Sequence, residues 1–563
     1  MLKLATIIDN PGEPPAETRY RDPDTLRNLG YNGLVIYETT GLSGLTDPDL
    51  ATTDEIGQWI TQRFDHVCQS IDAANDSGLE AYIFYDALVL ARDFVERNPD
   101  ELVCLQHPDH LCPASDITLN ASVDALQRLL RQLPPVAGIV LRFGDNDAVR
   151  LPHLTGNDLY TPQCSRCSKM GRTQRISRIL LRFHDLIVKQ LDKRLIARAW
   201  NVRPNGMHDS IELARRLSEN LPGDDPADDR FILSFKFTQT DFWRYQPWNT
   251  ASLQFGPRPI LYELQCQREF EAKGGIPNWQ APLWANGPPE CSRDTLCCGL
   301  ADAVAQANVA GLWAWVRGGG WGGPFVTNEN WIDANVFAVP RLAERIEISP
   351  NILAREWITT RLNIANPDLI KTLEQVLEHS TEAILNAFYI GSFATRSRDH
   401  WHPNASWIQD DLINTSALWK ILQSLPEEEL DNTVAEKRKA VELISQDRAA
   451  LQQHINESSR STIEPLVHSL IYAESLFETI RDLVAGLVAY RRYLANGGHS
   501  QAQRTQQKLL SAQVHWNQHT RQDASQPCAA TAYRESQFWE LTQQILAEFG
   551  QSTSLSVANE SDS

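Results

Sequence analysis

Asp241 and Glu269 lie 28 residues apart (269 − 241), each after an apolar, strand-like run: ILSFKF at 232–237 and PILYELQC at 259–266. If the two runs are neighbouring strands about 4.8 Å apart, carboxylates at their ends can converge on one water. Two like charges that close raise the proton affinity of the pair, which suits one of them to general-base work. Cleaving a glycosidic bond needs a further carboxyl group opposite, as acid. The stretch LRFGDNDAVR at 141–150 offers Asp145, with Asp147 in reserve, and Arg142 beside them. RLIARAWN at 194–201 adds Arg198 and Trp200, and the 232–270 stretch adds Lys236, Arg244, Gln265 and Gln267 among Phe242, Trp243, Tyr245 and Trp248. Carboxylates, cations and aromatics make the composition of a sugar site. The cations imply an anionic group on the ligand, such as a uronate carboxylate. The same composition also fits an interdomain ion-pair network.

Eight strand-like runs must position these residues: 2–8, 33–38, 81–85, 138–142, 194–200, 231–237, 259–266 and 310–316. Amphipathic segments lie between them at 54–77, 122–133, 173–191, 210–220 and 293–308. The alternation predicts an α/β fold, a (β/α)8 TIM barrel over 1–345, with its site where the C-terminal strand ends meet the loops. An open doubly wound sheet is the alternative, but no Gly-rich phosphate loop follows the first run. From 346 to 550 only helical periodicity remains, predicting an all-α C-terminal domain. Its best helix, 464–495, carries a seam of Leu466, Leu470, Ala473, Phe477, Ile480, Val484, Leu487 and Leu494, with Pro465 near its start and Gly497-Gly498 at its end. A weaker seam runs through 436–455. Such seams serve either the chain's own core or a homodimer. Residues 551–563 are Ser-rich and apolar-poor, and are expected to form a disordered tail.

Composition sets further bounds. A formal net charge of −19 argues against a nucleic-acid partner, whose phosphates need a basic footprint. No stretch reaches the roughly 18 apolar residues of a membrane span. The N-terminus lacks the features of a signal peptide, and ten Cys in 563 residues do not suggest a disulfide scaffold. A cytoplasmic protein is therefore expected. Sixteen Trp, many near strand ends, favour stacking on the apolar faces of sugar rings.

Lys236, Asp241 five residues on, and Glu269 a further 28 on within Glu263–Phe270 (ELQCQREF) resemble the catalytic barrel of the family-67 α-glucuronidases. That family's pattern has a Lys, an Asp and a Glu at this spacing, the Glu in a run of the form E-F-Q-x-x-Q-E-[YF]. The segments LRNLGYNGLVIYE and AGLWAWVRGGGWGGPFVTNENWIDANVFAVPRLA are also similar to the family's second- and eighth-strand regions. The resemblance implies that Asp241 and Glu269 activate the water that attacks the anomeric carbon with inversion. It implies that Lys236 and Arg198 hold the uronate, and that the substrate is a xylan fragment bearing glucuronate or 4-O-methylglucuronate. Three departures stand out. The family's N-terminal β-sandwich is expected to be missing, Ile8 replaces an aromatic before Asp9-Asn10, and the family's general-acid Glu aligns with Asn146. Asp145, directly after Gly144, is the preferred acid.

The combined expectation is an exo-acting glycosidase releasing an α-linked uronic acid from an oligosaccharide. Asp145 would be the acid, Asp241 and Glu269 would act on water, and Arg142, Arg198 and Lys236 would bind the uronate, with Trp200, Trp243 and Gln265 lining the sugar. This chemistry needs no metal or organic cofactor. The rivals are a glycosidase for another sugar and a non-catalytic carbohydrate-binding protein. Asp9, Glu38 and Asp86 read as hydrogen-bonding partners at strand ends. His400-Trp401-His402 either folds over the barrel mouth or makes an interdomain contact. The glycine run at 318–323 lacks a phosphate loop's ending and either admits a ligand close to the backbone or is a flexible loop. Cys164 and Cys167 form a CxxC with no second CxxC, so paired loop thiols are expected, with structural zinc the alternative; His107, His110 and Cys112 lie elsewhere in the chain. Cys291, Cys297 and Cys298 read as packing residues.

Overall fold

The computed structural model describes residues 1–10, 15–45, 55–146, 151–157, 159, 164–222, 228–291, 299–319, 328–397, 401–402, 407–409, 412–521 and 539–559. Asp147, His400, Cys297, Cys298 and residues 320–323 of the glycine run lie outside them. Eight strands form a closed barrel: β1 (Leu2–Ile8), β2 (Gly33–Ile36), β3 (Glu80–Asp86), β4 (Gly138–Arg142), β5 (Arg194–Arg198), β6 (Phe231–Lys236), β7 (Ile260–Gln265) and β8 (Val309–Gly318). Each pairs in parallel with its sequence neighbour, and β8 closes on β1. The fold is the predicted TIM barrel followed by helices. β3 to β8 are buried almost end to end, the pattern of parallel strands covered on both faces.

The helices between strands follow the apolar spacing. Glu55–Asp76 buries Ile60, Val67, Ile71 and Ala74, steps of seven, four and three that keep one stripe on the barrel. Asp116–Gln132 starts six residues earlier than its predicted 122, because Ser115 caps it by accepting from the Thr118 amide. The segment expected as one helix at 173–191 is α-helical over Arg172–His184 and continues as a π-helix over Asp185–Gln190.

A small second sheet, unforeseen in the sequence, sits on the loops after β3 and β4. Its order is Val89–Ala91, Leu154–Gly156, His107–Leu111, Val103–Cys104. It ties two rim loops together beside Asp145.

Beyond β8 the chain is helical. Asn330–Glu344 and Pro350–Thr360 lead into Pro367–Phe388, Glu427–Gln452, Arg460–Asn496 and His499–Thr520. The long helix begins at Arg460 rather than at 464, takes Pro465 within its second turn, and is capped at Gly497 as expected. Its seam from Leu466 to Leu487 is buried within the chain, whereas Leu494 is exposed. The final helix, Glu540–Asn559, runs through most of the segment that its composition marked as a tail. One apolar core is continuous from barrel to helices. Polar contacts reinforce the seam between them: Trp331 Nε1 donates to Ser469 Oγ at 2.7 Å, and Ser380 Oγ accepts from the Trp279 amide at 3.0 Å. No helix among the described residues is long and apolar enough to cross a membrane.

Candidate active site

Glu263 and Gln265 share one face of β7, because side chains alternate along a strand. The register sets Arg142 beside Asp86, Arg198 beside Ser234, Lys236 beside Glu263 and Gln265 beside Trp315. This gathers polar side chains at the C-terminal rim of an otherwise apolar barrel.

The rim corrects one expectation. Arg142, Arg198 and Lys236 are expected to hold a ligand's carboxylate, and each is already paired with a protein carboxylate. Arg142 grips Asp86 with Nε at 2.5 Å and Nη2 at 2.9 Å, and reaches the Tyr37 hydroxyl at 3.1 Å. Arg198 Nε donates to both Glu263 oxygens at 3.0 Å, and Ser234 Oγ adds a third bond to Glu263 at 2.7 Å. Lys236 Nζ is hydrogen-bonded to Asp241 Oδ1. The physical reason is desolvation: a cation buried this deeply needs a counter-ion whether or not a ligand comes. Asp86 is thus the strand-end partner it was read as. Arg142 has its fork filled, whereas Arg198 Nη2 is buried with no acceptor among the described residues.

Asp241 and Glu269 stand on loops that are bolted to each other. Trp243, two residues after Asp241, stacks on Phe270, the residue after Glu269, with ring centroids 3.6 Å apart and planes within 4°. Arg268 Nη2 donates to the Phe242 carbonyl at 2.5 Å, while its Nε and the same Nη2 hold Glu271 at 2.9 and 3.0 Å. Tyr389, from the helical region, donates to Glu271 at 2.7 Å. The β7 loop has left-handed backbone at Arg268, Ala272 and Lys273, with φ of 62°, 59° and 48°. Such strain costs free energy and persists only where surroundings over-determine it, often at functional sites. The Glu269 amide donates to Gln265 Oε1 at 3.0 Å.

Aromatic rings enclose the cation at the centre. Lys236 Nζ lies 3.8 Å from the Trp200 ring centroid, 4.5 Å from Phe242 and 5.1 Å from Trp315. Arg198 lies over the same Trp315 ring at 4.9 Å. His208 packs edge-on to Trp200 at 5.1 Å. Burial, then the Lys236 charge, push its imidazole down to about 3, so it is neutral when it bonds the Thr238 and Thr240 carbonyls. The helical region closes over this box. Trp401 stacks on Trp200 at 5.5 Å, and His402 stands edge-on to Trp243 at 5.8 Å. Burial lowers the pKa of His402, opposed by the charge of Asp241.

Among the described residues, Arg198 Nη2, Gln265 Nε2, Gln267 Nε2, Trp243 Nε1 and Trp315 Nε1 around this rim are buried with no hydrogen-bond acceptor. Native proteins leave few such groups unsatisfied, and each calls for a water or ligand partner. A polyhydroxylated ligand supplies acceptors of that kind.

Asp145 is half-buried in the loop after β4. Its neighbour Gly144 has no space for a side chain, since a Cβ there would lie 2.6 Å from the Trp200 carbonyl oxygen. The loop therefore runs against the end of β5, next to the Trp200 box. Asn146 has a holding role: its Nδ2 donates to the carbonyls of Ala87 and Asn157 at 2.9 and 2.8 Å. Sequence reasoning missed Glu263 as a member of the rim, though its alternation with Gln265 was a usable signal. It also missed Trp315 as the ring shared by Lys236 and Arg198.

No family model matches the chain, and no curated protein is significantly similar. Solved structures are. A family-138 glycoside hydrolase targeting the pectin rhamnogalacturonan II superposes with a TM-score of 0.56 at 11% identity, covering 98% of this chain and 84% of that one. An O-GlcNAc hydrolase of Thermobaculum terrenum gives 0.44 at 10% identity over 97% and 94%. A family-20 chitobiase of Flavobacterium johnsoniae gives 0.37 at 9% over 97% and 78%. These neighbours are glycoside hydrolases of different families, and at such identity the first likeness establishes the shared fold.

Proposed function

We propose that the chain is a glycoside hydrolase that releases an α-linked uronic acid, glucuronate or its 4-O-methyl ether in the first instance, from the end of an oligosaccharide with inversion. The observation that carries this reading is the pair of stacked loops that bring Asp241 and Glu269 to one rim, over a cluster of buried N–H donors. Asp241 and Glu269 activate the water. Lys236 fixes the Asp241 carboxylate, and Gln265 orients Glu269 through its backbone amide. Asp145 protonates the leaving oxygen from the β4 side. Arg198 Nη2 meets the uronate carboxylate, and Trp200 and Trp243 line the sugar. The family-138 neighbour, whose target is a pectin component, is consistent with an acidic-glycan substrate but stands too far in sequence to choose one.

A specific observation favours a second reading: Arg142, Arg198 and Lys236 each already carry a carboxylate partner, so these three cations bring no surplus of positive charge to the rim. A glycosidase for a neutral sugar fits that balance. Asp241→Asn and Glu269→Gln test what both readings share. Each should lower kcat by roughly 10²- to 10⁴-fold, the range of a lost general base, while calorimetric affinity for the oligosaccharide is retained. Unchanged turnover in either variant would remove that residue from the mechanism.

A further inference from the structure

We infer that Cys104, Cys112, Cys164 and Cys167 form a structural zinc site that clamps the two rim loops after β3 and β4. The CxxC at 164–167 lacks a second CxxC in the sequence, but the fold supplies the missing ligands from a hairpin. Val103–Cys104 pairs antiparallel with His107–Leu111, which brings Cys104 and Cys112 to the same side as the CxxC turn. All four thiols are buried, and their sulfur atoms lie within 4.8 Å of one another. Cys112 and Cys164 are 3.7 Å apart, and Cys104 and Cys167 are 4.0 Å apart.

Those separations decide between chemistries. A tetrahedral site with zinc–sulfur bonds of about 2.3 Å has sulfur–sulfur edges of about 3.8 Å. A disulfide would hold its two atoms about 2.05 Å apart. The turn is also shaped for a metal. The Cys164 amide donates to Cys167 Sγ at 3.1 Å, and the Ser168 amide closes the turn on the Cys164 carbonyl at 2.9 Å. An N–H aimed at a sulfur is the kind of outer contact that tunes a thiolate ligand. Arg166, inside the CxxC, donates to the Val103 carbonyl beside Cys104, so a cation sits at the edge of the cluster. Four thiols binding Zn²⁺ release four protons and leave a site of net charge −2, half of which that cation offsets. Among the described apolar residues the four cysteines group with one another and with Ala114, in a satellite cluster separate from the main core. Soft thiolates in a tetrahedron select zinc or iron, and zinc serves where only a clamp is needed.

The consequence is positional. The β3 loop contributes Cys104 and Cys112, the β4 loop contributes Cys164 and Cys167, and Asp145 stands on the β4 loop. The test uses the full chain purified without chelator, with metal counted by mass spectrometry and the shell read by X-ray absorption at the zinc edge. The expected result is one zinc per chain with four sulfurs at about 2.3 Å, and loss of at least roughly tenfold of it in Cys104→Ser and Cys167→Ser. Zinc far below one per chain, with an intact mass lower by the hydrogens of two disulfides or with four reactive thiols in the native protein, would overturn the inference. One iron per chain with ferric tetrathiolate absorption would equally overturn the assignment to zinc. Because the wild-type metal count decides, a variant that fails to fold leaves the test intact.

Discussion

Gly319 has φ +88°, and a Cβ there would stand 2.9 Å from Gln265 Nε2, 3.2 Å from Glu269 Oε2 and 3.4 Å from Trp315. It is the point where backbone, amide, carboxylate and indole come together. Gly319→Ala is expected to displace Glu269 and lower kcat/KM at least roughly tenfold, while the left-handed strain lowers stability by about 1 kcal/mol. Unchanged kinetics would show that the Glu269 position is not critical. Arg198 tests the uronate assignment. Arg198→Lys keeps a charge opposite Glu263 but loses the fork, so KM for acidic substrates should rise roughly tenfold relative to neutral ones. An equal effect on both classes would assign Arg198 to the rim alone. Arg198→Met leaves Glu263 buried and unpaired, and should destabilise by about 3–5 kcal/mol. The sequence pointed to Arg198, Lys236, Asp241 and Glu269 by type and spacing. It hid that Arg198 is bound by Glu263, 65 residues on and two strands away, because barrel neighbours across a third strand leave no local pattern.

At the scale of elements, strands and long helices were legible because burial imposes its period on them. The four-stranded sheet over the rim was not, since its strands run two to five residues and carry no period to read. The zinc alternative remained weak in the sequence for the same reason: Cys104 and Cys112 meet the CxxC only once a hairpin has formed. The helical region has its own tie. Asp482, on Arg460–Asn496, bonds Lys508 and Ser511 of His499–Thr520 at 2.9 and 2.6 Å, and Arg481 at 3.0 Å. Burial alone would raise its pKa, but Arg481, Ser511 and Lys508 hold it down to about 2, below the ordinary 3.8. A lowered folded-state pKa stabilises above the unfolded value and loses that contribution as pH falls through the folded one. The stability difference between wild type and Asp482→Asn is therefore expected to be on the order of 2 kcal/mol above pH 4 and to shrink toward pH 2. A difference independent of pH across that window in urea melts would contradict the tie.

Seen whole, the molecule joins a barrel to helices that complete its mouth. Tyr389 reaches the strained β7 loop, Trp401 covers Trp200, and one apolar core runs through both regions. The sequence announced both regions, but not how far the helices take part in the site. Contacts such as Tyr389 to Glu271, 118 residues apart, exist only after the two have packed. Inversion requires Asp241 and Glu269 to deliver one water to the face opposite the leaving group. Proton NMR of the sugar released in the first minutes from α-linked uronic-acid oligosaccharides tests this directly. The β-anomer of the uronic acid is expected to appear first. The α-anomer appearing first would contradict inversion, and release of neutral sugars alone would contradict the uronate substrate.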